Sequence, residues 1–455
     1  MGVTAQMSRF IVETRFEDIP GEAIRRTKKQ FLDCLGTALA GYEDEVGRIV
    51  TEYTREIGGT AESRLLGSGV FTSAANAAFA NGTMAHALDF DDCGFTSHPT
   101  GCILPVLLAL GEKLRLSGKE ILVAQVMGYE CLEGLSYGAR AYDRTLRARG
   151  YHPTPVYGTL AAAATAAKLL KLNVTETSMA LGMAGSQAAG LIENFGTMAK
   201  GSHSGNAARA GVLAASLVQK GYVATQEVIE GQHGLYHAII GEGNYNLSKV
   251  TEKMGKTWAI IDPGLSIKTY PCCHGNARAL DAILQILNEH NISFEQVESV
   301  EVMMNRGPWN SLRFDKPAAG DQGKFSMQYN MATAILDGKV DIDSFSDDKA
   351  NSPEMREALS KIKVVDMSEW TSDVERRRTP VKVRMKNGQE YTGEVDKPRG
   401  NVENPLTDEI LQEKFRYCAG RVPLPPSRIE RCIALVQEME NISDITLLMD
   451  MTYPQ

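Results

Sequence analysis

From Pro20 to about Lys249 apolar residues recur at helical spacing. Within Glu22–Leu39 they fall on one face as Ile24, Phe31, Leu32, Leu35 and Leu39. Thr72–Leu88, Ile103–Leu116, Val123–Leu135, Gly158–Leu172 and Gly205–Lys220 carry further helices, with no β-branched alternation between them. These segments are dense in small residues, as in the Ala161–Ala164 run and in Ala184-Gly185-Ser186-Gln187-Ala188-Ala189-Gly190. Small side chains let helix axes approach, so this part predicts a compact bundle with buried central helices.

Near residue 265 the period changes. Ser299–Asn305 and Lys361–Val365 read as strands, and Val381–Val395 alternates on both sides of Asn387-Gly388, the strongest short hairpin signal. Helices at about 277–290 and 327–336 interleave with these strands. After Pro398 and Gly400 helical periodicity returns in Thr407–Cys418 and Ser427–Met439. The expected architecture is mainly α: a large all-α helical domain from residues 1–264 plus 399–455, with an inserted smaller α+β domain at 265–398.

Composition narrows the class. The 455 residues are 43% hydrophobic and carry a net charge of −8, so neither disorder nor a nucleic-acid or anionic-membrane surface is the expectation. The first ten residues lack a signal-type apolar core, and no uncharged apolar run of about 18 residues occurs. The eight cysteines are dispersed and form no Cys-x-x-Cys pair. A reduced, cytoplasmic protein without structural zinc is expected.

The candidate chemistry lies in polar islands at loop-to-helix junctions. The first contains Asp89, Asp91, Asp92, Cys93 and His98-Pro99. Its carboxylates read as anchors of the following loop rather than as a metal site, because no His or Glu stands at familiar ligand spacing. His152-Pro153 repeats the His-Pro arrangement. Lys200 and His203 are read as lying just ahead of a long small-residue helix, whose first amides favour an anion. Lys268-Thr269-Tyr270-Pro271-Cys272-Cys273-His274 and Lys324–Tyr329 complete the set. A lone histidine is ordinarily structural, and His233 and His237 are read so, with His290 read as a solvated helix end. The others share a setting beside Gly, Pro and Lys, on loops placed by rigid helices. No phosphate-binding loop or nucleophile elbow is present.

Taken in order, Asn81-Gly82-Thr83-Met84-Ala85-His86-Ala87-Leu88-Asp89-Phe90-Asp91-Asp92, His98-Pro99, Tyr151-His152-Pro153, Gly196-Thr197-Met198-Ala199-Lys200 and the Lys268–His274 segment resemble the MmgE/PrpD family. The resemblance runs from about residue 5 to 440. It implies that the α+β domain is a lid, that the protein is a homodimer, and that a small di- or tricarboxylate is handled with no metal and no cofactor. Carried across residue by residue, it implies pocket positions at Asp89, His98, His152, Lys200, Lys268, His274 and Tyr329. Where many members have Thr, this chain has Cys93, at the head of a short loop to His98 that would line the substrate.

The implied chemistry is proton transfer next to a carboxylate. Lys200 and Lys268 would clamp carboxylates, and His98 and His152 would share the proton transfers. His274 and Tyr329 would orient or protonate from the lid, and Asp89 would hold a histidine tautomer or a cation. Dehydration of a hydroxy-polycarboxylate leads these expectations. Epimerisation of an imino- or amino-dicarboxylate, decarboxylation and non-catalytic carboxylate binding are the alternatives.

Overall fold

Caps readable in the sequence bound several helices. Ser73 accepts the Asn76 N–H at the start of Ala74–Ala87, Asn173 and Glu176 form a reciprocal box at Val174–Gly185, and Ser326 accepts the Tyr329 N–H at Met327–Asp337. Prolines at the first helical position open Pro99–Leu114 and Pro153–Leu169 directly after His98 and His152. This computed structural model describes residues 1–139, 143–307, 310–370, 372 and 374–454.

The chain divides into two units, one of residues 1–193, 200–267 and 407–455, the other of residues 194–199 and 268–406. In the first, Gly21–Glu43, Ala74–Ala87, Pro99–Leu114, Gly118–Ala139 and Pro153–Leu169 pack on one another. Pro99–Glu112 and Pro153–Ala167 are buried all round, as expected for central helices that are apolar on every face. The C-terminal helices Asp408–Ala419 and Pro426–Gln437 pack on Gly21–Glu43. The fold is mainly α, with a smaller α+β region. Among the described residues no helix is long and apolar enough to cross a membrane.

Two features depart from the periodicity. The first unit contains a short antiparallel ribbon, β1 (Ser63–Arg64) and β2 (Phe71–Thr72). Side chains from two helices hold it. Glu112 accepts the Arg64 N–H at 2.8 Å and pairs with its guanidinium, while Asn81 bonds the Arg64 carbonyl and the Leu66 N–H. Such tertiary anchoring leaves no trace in local alternation. Beyond Gln219, residues 220–264 are also largely turns and short helical pieces rather than continuous helix.

The second unit has a four-stranded sheet in the order β4-β3-β5-β6, from β3 (Val297–Met304), β4 (Ile362–Asp366), β5 (Val381–Met385) and β6 (Glu390–Gly393). β3 runs parallel to β4 and antiparallel to β5, and β5 and β6 form the hairpin read from Asn387-Gly388. Gly388 takes φ +87°, which that turn requires. The buried Val297, Val300, Val302, Val381 and Val383 join Leu280 and Ile283 of the Ala277–Glu289 helix in one core.

Candidate active site

Two helices of the first unit approach at backbone contact. A Cβ on Gly205 would lie 2.3 Å from the Phe79 carbonyl and from Thr83 Oγ1, and one on Gly82 would lie 2.8 Å from Gly205 Cα. Glycine is therefore needed where the Ala74–Ala87 and Ala199–Gln219 helices cross. That closeness brings Lys200, one residue into its helix, against His86, near the end of the other. Lys200 and His203 thus lie within a helix that starts at Ala199, not ahead of it as the sequence suggested. Their side chains meet His86, Asp89 and His152.

The buried Lys200 ammonium donates to His86 Nε2 at 2.7 Å and to Asp89 Oδ1. His86 Nδ1 in turn lies 3.0 Å from both oxygens of the fully buried Asp91. Burial pushes the Asp91 carboxyl up, but His86 and His98 outweigh it and hold the group well below the ordinary carboxylate range. An ionised Asp91 can only accept, so the His86 proton is on Nδ1 and the Nε2 lone pair receives the Lys200 proton. Asp91, His86, Lys200 and Asp89 form one chain of alternating acceptor and donor. Asp89 itself takes φ +49°, a strained conformation for a residue with a side chain, as is common at functional sites.

His98 stands beside this chain. Its Nδ1 lies 2.8 Å from the Asp92 carbonyl oxygen, which cannot donate, so Nδ1 carries the proton and Nε2 the lone pair. That Nε2 is 3.8 Å from Asp89 Oδ1, and the ring stands edge-on to His86 at 4.7 Å. Its backbone N–H donates to Thr154 Oγ1 at 3.1 Å. The preceding loop is a tight turn, with Gly94 and Ser97 exchanging backbone bonds and φ positive at both Phe95 and Thr96. Cys93 pairs by its backbone with Ser266, which fixes the head of that loop.

His152 donates its backbone N–H to the Gly190 carbonyl at 2.9 Å. Its ring stacks over His86 at 6.0 Å, and its Nδ1 lies 3.0 Å from Nδ1 of His203. Burial first, and then the Lys200 charge, hold His152 well below the usual histidine range; burial likewise lowers His86 and His98. His203 is brought down to about 4, by burial and then by His86 and Lys200. The free protein therefore has several neutral imidazoles around one ammonium.

His86, Asp89, Asp91 and His98 offer ligand atoms all within 4.8 Å of one another. Sequence spacing did not reveal this grouping, because the turn at 94–97 brings His98 back. The Lys200 ammonium already takes Asp89 and the His86 lone pair, so a divalent cation would have to displace it. The arrangement fits an internal cation.

Lys268, His274 and Tyr329 belong to the second unit. Lys268, Cys273 and His274 line one small cavity with Tyr270 and Arg399, in which Tyr270 donates to Asp281 at 2.6 Å and Arg399 to the Tyr270 oxygen at 2.9 Å. Tyr329 is elsewhere, fully buried in that unit's core, with its hydroxyl donating to the Ser344 carbonyl at 2.7 Å. That bond holds the proton which the sequence reading offered to a substrate. The reading missed the roles of His86, Asp91 and His203. The first two stood in a quoted motif, but their partners lie across the fold.

The protein is mainly helical, with an α+β unit and a buried Asp–His–Lys–Asp chain flanked by imidazoles. The MmgE/PrpD N-terminal domain model matches residues 5–248 and the MmgE/PrpD C-terminal domain model residues 270–440, and the chain belongs to the MmgE/PrpD family. It is 29% identical to a cis-aconitate decarboxylase of Mus musculus, over 98% of this chain and 92% of that one. It is 28% identical to one of Homo sapiens, over 98% and 93%. It is also 28% identical to one of Aspergillus terreus (strain NIH 2624 / FGSC A1156), over 99% and 96%.

Proposed function

We propose that this protein is an enzyme, a lyase acting on a small di- or tricarboxylate without a cofactor, and that its reaction is loss of carbon dioxide. The observation that carries this is the Lys200 ammonium, buried and aligned by His86 and Asp89 beside His98 and His152. The likeness to three decarboxylases along nearly the whole chain moves the reading from dehydration, which the sequence put first, to decarboxylation.

In this reading Lys200 pairs with a carboxylate conjugated to a carbon–carbon double bond. The bond from an allylic carbon to its own carboxylate breaks, and carbon dioxide leaves. The electron pair passes into the conjugated system, where the ammonium stabilises the developing charge in a site from which water is excluded. An imidazolium, His98 or His152 protonated at Nε2, gives its proton to carbon, and solvent restores it. One carbon–carbon bond is broken, one carbon–hydrogen bond is made, and one proton is consumed. Lys268 and His274 are proposed as carboxylate partners. The Cys93–His98 loop is proposed to shape the substrate. Dehydration is the second reading, since two imidazoles beside one ammonium also provide the base and the acid that elimination of water needs. The family resemblance further proposes a cytoplasmic homodimer.

NMR time courses in D₂O test this with cis-aconitate, 2-methylcitrate, citrate and iminodisuccinate, each with and without chelator and beside Lys200→Ala. Carbon dioxide loss with deuterium in the product, abolished by Lys200→Ala and indifferent to chelator, is expected. A new alkene from a hydroxy acid assigns dehydration, and deuterium at an otherwise unchanged carbon assigns epimerisation. Binding without turnover makes the protein a carboxylate binder, and absence of binding overturns the polycarboxylate reading.

A further inference from the structure

Four consecutive residues, Asp89 to Asp92, are each held by a different part of the first unit. Asp89 binds the Lys200 ammonium, and Asp91 binds His86. The Asp92 carboxyl group accepts from the Thr100 N–H at 3.1 Å and from Thr100 Oγ1, while its carbonyl receives His98 Nδ1 at 2.8 Å. Phe90 is held from the other end of the chain. Lys414, on the Asp408–Ala419 helix, donates to the Phe90 carbonyl at 2.9 Å, and its ammonium lies 3.8 Å from the centre of the buried Phe90 ring.

The same ammonium pairs at 2.6 Å with Asp33 Oδ1, on the Gly21–Glu43 helix, and the two side chains are 8% and 0% exposed. Taking both charges out of water offsets much of their attraction, so a buried pair is often no more stabilising than apolar side chains of similar volume. Apolar side chains, however, cannot hold a carbonyl. The carbonyl that Lys414 holds belongs to the peptide joining Phe90 to Asp91, so the bond sets how the Asp91 carboxylate leaves the chain. One residue earlier Asp89 stands at φ +49°, a state that persists for a residue with a side chain where its surroundings impose it. The double grip on Phe90, by ring and by carbonyl, is such an imposition.

We infer that Lys414 is a positioning residue: anchored by Asp33, it fixes the backbone at Phe90 and thereby the places of Asp89 and Asp91 on either side. Lys200 and His86 then meet carboxylates that are already aimed. The consequence for turnover rests on the lyase reading; the placement of Asp91 against His86 does not.

Two variants separate positioning from stability. Lys414→Met alone leaves the Asp33 carboxylate buried without this ammonium and is expected to lower the urea midpoint sharply. Asp33→Leu together with Lys414→Met removes both charges and is expected to recover the midpoint. Proton NMR then reads the site without any substrate. The His86 Nδ1–H, buried and bonded to Asp91, is expected as a slowly exchanging low-field resonance in the wild type, assigned by its loss in Asp91→Asn. In the double variant it is expected to move upfield or to exchange rapidly. On the substrate that the panel identifies, the double variant is expected to lose roughly 10- to 100-fold in kcat with KM within a few fold. Lys414→Arg keeps a cation and a donor, and is expected to retain the resonance and most of kcat. A double variant as stable as the wild type, with the His86 resonance and kcat both unchanged, makes the pair structural only and overturns the inference. If no substrate is turned over, the resonance alone decides it, and the lyase reading fails separately.

Discussion

Nδ1 of His86 lies 3.0 Å from both carboxylate oxygens of Asp91, and neither side chain is exposed to solvent. The five-residue separation lets a helix end and the loop after it close on themselves. Because Asp91 stays ionised, His86 presents a lone pair to Lys200, and the ammonium is gripped from two sides. A fully buried carboxylate thus sets where the positive charge stands.

Asp91→Asn removes the charge that fixes this tautomer while conserving shape. We expect kcat to fall by about 10² to 10⁴, with KM within a few fold, as when the orienting carboxylate of a catalytic triad is lost. Steady-state kinetics on the substrate found by the NMR panel, with circular dichroism to verify folding, check it. An unchanged kcat means that the Asp91–His86 pair is structural only.

The free site holds His98 and His152 neutral, chiefly through burial and with the Lys200 charge adding to it. Carboxylates brought alongside reverse that balance, because negative charge favours imidazolium. Binding of a polycarboxylate is therefore expected to take up about one proton. Calorimetry with propane-1,2,3-tricarboxylate, which has no double bond to react across, measures this in buffers of different ionisation enthalpy. The dissociation constant should rise about tenfold per pH unit above neutrality. Equal heats in all buffers would remove the coupling, and with it the source of the imidazolium acid.

Much of this was legible in the sequence, and the limits have physical causes. The bundle, the α+β insertion and the Asn387-Gly388 hairpin are local patterns, with a period of 3.6 or 2 or a turn demanding positive φ. Asp89, His98, His152 and Lys200 stood out because polar groups in apolar helical sequence need a reason. His86 did not, because one histidine late in an Ala-rich helix looks like a satisfied core residue. Its partner Lys200 is 114 positions away, and the helix crossing at Gly82 and Gly205 brings them together. Tyr329, a substrate-binding position on the family resemblance, is buried with its hydroxyl on the Ser344 carbonyl, a partner that no local pattern announces.

That crossing can be tested alone. Ala for Gly inside a helix ordinarily stabilises by up to about 1 kcal/mol. At Gly205 the new methyl would lie 2.3 Å from the Phe79 carbonyl and Thr83 Oγ1, so the helices must part. Gly205→Ala is expected to destabilise by about 1–3 kcal/mol and to lower kcat by drawing Lys200 from His86 and Asp89. Urea denaturation and kinetics read the two effects, and a more stable, fully active variant would show that the approach is not needed.

Glu130 gives a pH dependence of stability. It lies buried on the Gly118–Ala139 helix, accepts the Ala259 N–H at 2.6 Å, and is pushed up to about 8, by burial and then by Glu133, against the pull of that hydrogen bond. The folded pKa is above the unfolded value of about 4.5, so the folded state binds more protons between these limits and loses stability as pH rises through them. His203 acts in the opposite sense: its folded value of about 4 lies below the unfolded 6.5, and its contribution is lost as pH falls through that window. Comparison with Glu130→Gln isolates the first effect, since the histidines titrate alike in both proteins and the amide oxygen still accepts from Ala259. Near pH 5 the two proteins should differ by about 1 kcal/mol or less. By pH 8 the variant should be ahead by about 4 kcal/mol, at 1.36 kcal/mol per pKa unit. Urea midpoints at pH 5, 6.5 and 8 measure the gap. A gap that stays constant across that range would mean that Glu130 is ionised throughout, with a cationic partner in place of the proton.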